Sequence, residues 1–129
     1  LLVVIMAAHA WAVINAGYFY VWWLDIVLHF AGGFWLASLS IFILWGRYAR
    51  EFPRRPLLSL LTLVSLVSLG GVVWEFFEFG YDVLLAVPSS LPIAQMGQSD
   101  TMSDLFLDLS GAATAHWFFL KNNQNQEHG

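Results

Sequence analysis

The sequence predicts an all-α integral membrane protein, a four-helix bundle, on three observations. Of its 129 residues 59% are hydrophobic and only 11% charged, with a mean hydropathy of +0.67. A soluble domain of this size needs far more polar surface, which points to the bilayer as solvent. Charge-free runs cover residues 1–24, 26–46 and 56–74, each close to the roughly 20 residues that span a hydrocarbon core. Four of the five Lys/Arg residues are gathered in one link, "GRYAREFPRRP" at 46–56.

The first predicted helix covers about 2–22 and ends in Tyr18, Tyr20, Trp22 and Trp23, aromatic residues of the kind that anchor at a membrane interface. A cleaved signal peptide is the weaker reading of this run, since no basic stretch precedes it and no small-residue cleavage site follows. The second helix covers about 24–46 and opens on Asp25. Arg47, Arg50, Arg54 and Arg55 then form the basic link, which the positive-inside rule puts in the cytoplasm of a bacterial inner membrane. The third helix covers about 57–85 and the fourth about 102–120. Both termini then face the cytoplasm, in agreement with Lys121. "VPSSLPIAQMGQS" at 87–99 is apolar but interrupted by Pro88 and Pro92, so it is expected to lie on the outer surface or cap the bundle. One domain, 1–121, and a polar tail at 122–129 that includes His128 complete the chain. Cysteine is absent, which removes disulfides and thiolate chemistry. Nothing in the charge pattern suits nucleic acid, and membrane lipids are the expected surroundings.

Of nine acidic residues, seven are Asp25, Glu75, Glu78, Asp82, Asp100, Asp104 and Asp108. The topology puts all of them in the outer layer, within roughly 10–12 Å along the helix axes at 1.5 Å per residue. Asp25 and His29 are four apart, Glu75 and Glu78 three apart, Asp104 and Asp108 four apart, so each pair shares a helix face. Gly32, Gly33, Gly70, Gly71, Gly111 and Ala112 lie beside them and allow close helix approach. Asp100 is expected at the outer mouth. No Lys or Arg precedes Arg47 or falls between Pro56 and Lys121, and several clustered carboxylates cannot all stay ionised without compensation. Three explanations follow: a bound cation, a proton or cation pathway, or an acid network without an ion. Oxygen ligands with one imidazole suit Mg²⁺, Mn²⁺ or Ca²⁺, and with more nitrogen Zn²⁺ or iron. Glu75, Glu78, Asp104 and Asp108 are the expected ligands, with His29 as general base oriented by Asp25. If the chain is an enzyme, metal-assisted hydrolysis or transfer on an envelope lipid is the natural class.

Taken together, "DIVLHFAGG" (25–33), "WEFFEF" (74–79) and "GQSDTMSDLFLDLSGA" (97–112) resemble the small inner-membrane family typified by YjdF and, more loosely, VanZ-like proteins. The resemblance covers about residues 22–115. It implies a shared polar core of Asp25, His29, Glu75, Glu78, Asp104 and Asp108, and in the VanZ-like case a link to the cell envelope. The chain departs from the family pattern by its shortness and by lacking an Arg before the final acidic helix.

"AAHAW" (7–11) and "GAATAHWFFL" (111–120) set His9 and His116 among alanines, on the cytoplasmic side and away from the acids. Interhelical hydrogen bonding is the first reading. The alternative is a bacteriochlorophyll or haem ligand, in a non-catalytic accessory subunit of a larger membrane complex or a homo-oligomer. Trp74, Phe76, Phe77 and Phe79 beside the glutamates read first as lipid-facing aromatics.

Overall fold

In a computed structural model the chain is helical, with no strand among the described residues, which are 1–48 and 54–127. Arg50 and the rest of 49–53 in the basic link, and His128, lie outside them. The elements are α1 (Leu2–Ile14), α2 (Gly17–Tyr20), α3 (Trp23–Tyr48), α4 (Pro56–Tyr81), a π-helical stretch (Asp82–Ala86), α5 (Val87–Ser89) and α6 (Gln98–Glu127).

The predicted first helix, 2–22, is broken in two. Asn15 turns its side-chain amide back onto the carbonyl of Trp11 at 2.8 Å, competing with helix continuation. Ala16 then adopts a left-handed conformation at φ 53°, and Gly17 follows with its Cα against Ala12 and Trp11, where a β-carbon has no room. The second helix matches expectation almost to the residue. The third begins with Pro56 in its first turn, where the missing N–H is harmless. After Tyr81 it passes into the π stretch rather than running straight to 85. The fourth is longer than predicted at both ends, starting just after Gly97, whose φ is +124°. Its first turn is fixed by Asp100, whose Oδ2 accepts the backbone N–H of Met96 at 2.9 Å.

Among the described residues two segments are long and apolar enough to cross a membrane, Trp23–Leu44 and Pro56–Ser89. Leu2–Ile14 is a shorter apolar helix. Large side chains such as Phe42, Phe76, Leu84 and Phe106 point outward and are exposed, a surface suited to hydrocarbon rather than water. The hydroxyls of Ser38, Ser40, Thr62, Ser65, Ser110 and Thr114 each bond the carbonyl four residues back, so these polar residues present little free polarity to an apolar solvent.

Helix α6 packs along α3 and α4, α3 packs on α4, and α1 lies against α3. The tightest approach is between α3 and α6. A β-carbon on Gly33 would run into the backbone of Asp108, and one on Gly111 into the backbone of Phe30 and Phe34. Gly71 brings α4 to the same level, against the side chains of Asp108 and Leu105. Apolar packing occurs as two clusters. One joins Ala12, Val13, Tyr18 and Ala94 with Leu24, Leu28 and Tyr81; the other joins Ala37, Val67, Ala112 and Ala115 with Phe34, Leu36 and Ile41. Along α3 the first reaches Leu28 and the second begins at Phe34. His29 falls between them.

Candidate metal centre

The glycine crossing determines which polar side chains meet. With Gly33 against Asp108, the residue one turn earlier on α3, His29, faces the acidic side of α6. His29 Nδ1 lies 3.6 Å from Asp108 Oδ1, and Nε2 lies 3.6 Å from Asp25 Oδ1 and 3.8 Å from Asp104 Oδ1. From α4, Glu75 and Glu78 reach the same imidazole. Two overlapping triads result, Asp25–His29–Asp104 and His29–Glu75–Glu78, each offering ligand atoms within 4.8 Å of one another. His29, Glu75, Glu78, Asp104 and Asp108 are buried and Asp25 partly so.

The two glutamates differ in their other partners. Glu78 Oε1 accepts the indole N–H of Trp74 at 3.1 Å and lies 3.8 Å from His9 Nδ1. Glu75 Oε2 accepts the amide N–H of Gln95 at 2.9 Å, while Glu75 Oε1 is buried with no hydrogen-bond partner. A buried polar atom left unsatisfied costs about 1–3 kcal/mol, more when charged, so this oxygen marks a place where a donor or cation belongs.

The connector closes the end of the site remote from the basic link. Both Asp82 oxygens are taken by backbone N–H groups, of Ala94 at 2.7 Å and Gln95 at 3.0 Å. That grip pulls in 94–95, buries Ala94 and directs the Gln95 amide to Glu75 and, at 2.8 Å, to Thr101 Oγ1. Segment 87–99 therefore caps the helices, as its prolines suggested. Asp82 and Asp100 hold this connector and are not part of either triad.

His9 is the correction. It was expected away from the acids, but it joins their layer: its Nδ1 is 2.6 Å from the Tyr18 hydroxyl and its ring packs edge-on against Trp74. The cause is the break at Asn15–Ala16, which bends Tyr18 back over α1 instead of carrying it straight away from His9. His116 does lie apart, buried, with Nε2 2.7 Å from Ser59 Oγ. The Ser59 hydroxyl also lies 3.0 Å from the Pro56 carbonyl, and its bond with His116 ties α6 to the start of α4, the interhelical bond read first for this residue. Trp74 is half-buried and used by Glu78, whereas Phe76, Phe77 and Phe79 do face outward. Tyr18, Gln95 and Thr101 were not foreseen. The available signal was weak: Gln95 is the one amide side chain in the connector 87–97.

A helical chain with membrane-length segments and a buried acid–histidine layer is a membrane protein built around a polar centre. The chain belongs to the family described as predicted membrane protein (DUF2238), which it matches over residues 1–125. This agrees with its resemblance to YjdF-like membrane proteins. No curated protein and no solved structure matches the chain.

Proposed function

We propose that the chain is a multi-pass protein of the bacterial inner membrane that binds one divalent cation between His29, Glu75 and Glu78, near the extracytoplasmic side. The carrying observation is that Glu75, which keeps a buried oxygen without a hydrogen-bond partner, offers a ligand atom within 4.8 Å of ones from His29 and Glu78. A cation at that point satisfies the oxygen and offsets carboxylates that have no Lys or Arg at their depth. Asp25 and Asp104 flank one ring nitrogen of His29 and Asp108 the other. They orient the ring, as carboxylates do behind metal-bound histidines. As a ligand His29 would give one ring nitrogen to the ion and keep the other on a flanking carboxylate, which leaves no lone pair for the general-base role expected from sequence. When bound, the ion supplies Lewis acidity to an oxygen of a phosphate or ester, which suits hydrolysis or transfer on an envelope lipid.

The test is elemental analysis of the purified protein, beside Glu75→Ala and Asp104→Ala. Near-stoichiometric metal is expected in the wild type, none in Glu75→Ala and a weakened 10–100-fold affinity in Asp104→Ala, the usual effect of removing an orienting carboxylate. A folded wild type that takes up no divalent ion from Mg²⁺, Mn²⁺, Ca²⁺ or Zn²⁺ solutions would sink the reading.

A further inference from the structure

A cavity of about 150 Å³ opens between α1, α3 and α4, large enough for a benzene-sized apolar group. Its walls change character along the helix axes. Three helices each contribute a stretch with a polar or aromatic residue at one end and an aliphatic one seven residues away: Leu2 and His9, His29 and Leu36, Val67 and Trp74. Seven residues of helix rise roughly 10 Å. The end nearest the candidate centre therefore carries His9, Tyr18, His29 and Asp108, and the far end Leu2, Leu36 and Val67. Chain directions agree with this: α1 and α4 run towards the acid layer and α3 away from it.

The space does not follow from helix packing. Gly33 and Gly71 are glycines because backbone or side chains stand against them. Gly32 also lines the cavity, yet a β-carbon there would meet nothing within 4 Å. Glycine in a helix interior is less favourable than alanine by roughly 0.5–1 kcal/mol, and here no contact accounts for it. What its missing side chain does is keep the slot open.

We infer that this slot holds the upper segment of a hydrocarbon chain of a phosphate-headed lipid, with the phosphate at the His29 end and the tail passing along Gly32 towards Leu36 and Val67. The inference rests on the cation reading for its headgroup: an acid layer repels an anion, and a cation held by His29, Glu75 and Glu78 reverses that. The tail part rests on the slot alone. Its polarity, one wet end and one aliphatic end within a membrane protein, matches an amphiphile and no fully polar ligand.

The experiment uses the full chain in phosphatidylcholine nanodiscs with phosphatidic acid carrying a diazirine at mid-chain, and diacylglycerol with the same chain as the neutral probe. Crosslinks are mapped by mass spectrometry, and metal content is measured on the same samples. Expected labelling falls on residues lining the slot, drops at least fivefold in Gly32→Leu and less in Gly32→Ala, and is unchanged in Phe76→Leu on the outer face. Labelling confined to outward-facing residues, or indifferent to Gly32→Leu in a protein that keeps its helicity and metal, overturns the slot. Phosphatidic acid should be labelled several-fold more than diacylglycerol, and a chelator should abolish that preference. Slot labelling without bound metal and without headgroup preference refutes the phosphate part and the cation reading together, while leaving the chain-binding slot standing.

Discussion

Two neighbouring glycines on α3 should respond in opposite ways to the same substitution. Gly33→Ala drives a β-carbon into the backbone of Asp108, which cannot rotate aside, so α3 and α6 must separate. Overpacking of this kind costs about 1–3 kcal/mol, against a gain of roughly 0.5–1 kcal/mol from replacing a helical glycine. A net loss of about 1–2 kcal/mol follows. Gly32→Ala meets nothing within 4 Å, so only the gain remains. The gain is common to both variants, so they should differ by the overpacking cost, about 1–3 kcal/mol, or on the order of 10 °C in midpoint for a chain of this length. Tryptophan fluorescence melts in one detergent would read this. Metal affinity should follow the same order, because separating α3 from α6 withdraws the carboxylates that orient His29. Equal midpoints for the two variants would refute the claim that Gly33 marks the helix crossing and Gly32 an open slot.

Asp82→Asn leaves one acceptor where two backbone N–H groups bond. It should speed proteolysis and hydrogen exchange in 90–97, with a stability loss of about 1–3 kcal/mol. Tyr18→Phe removes the partner of His9 Nδ1 and should lower stability by roughly 0.5–1.5 kcal/mol, read in the same melts, without loss of metal. His116→Ala should leave metal content unchanged and lower the melting midpoint by freeing Ser59 from α6. The visible spectrum of the same preparations tests the pigment reading: the protein should be colourless, and a stoichiometric haem or bacteriochlorophyll band lost in His116→Ala would reverse the assignment.

The convergence of acids was legible in the sequence because helical period is rigid: Asp25/His29, Glu75/Glu78 and Asp104/Asp108 could face only one way once their helices were drawn. The small residues beside them signalled close approach, and Gly33, Gly71 and Gly111 do mark it. Periodicity could not separate Gly33 from Gly32, since both are glycine and only the neighbouring helix distinguishes them. Nor could it find the break after Ile14, because "AWAVINAGYFY" is apolar throughout and the interruption depends on one asparagine side chain and a left-handed alanine. That break is why His9 stands in the acid layer, where an unbroken helix over 2–22 would not put it. Gln95 was invisible for a different reason. Its role depends on Asp82 gripping the connector backbone, a contact made across a dozen residues without any periodic pattern.

The contact of Gly33 and Gly111 with opposing backbone has a bearing on how His29 is held for an ion. Because main chain meets main chain there, the spacing of His29 from the α6 carboxylates is fixed during folding rather than on arrival of a ligand. Little ordering entropy is then left to lose on binding. The ring that would meet an ion together with Glu75 and Glu78 is thus set in its pose before any ion arrives. Two absent side chains, on α3 and α6, orient a ligand whose partners stand on a third helix.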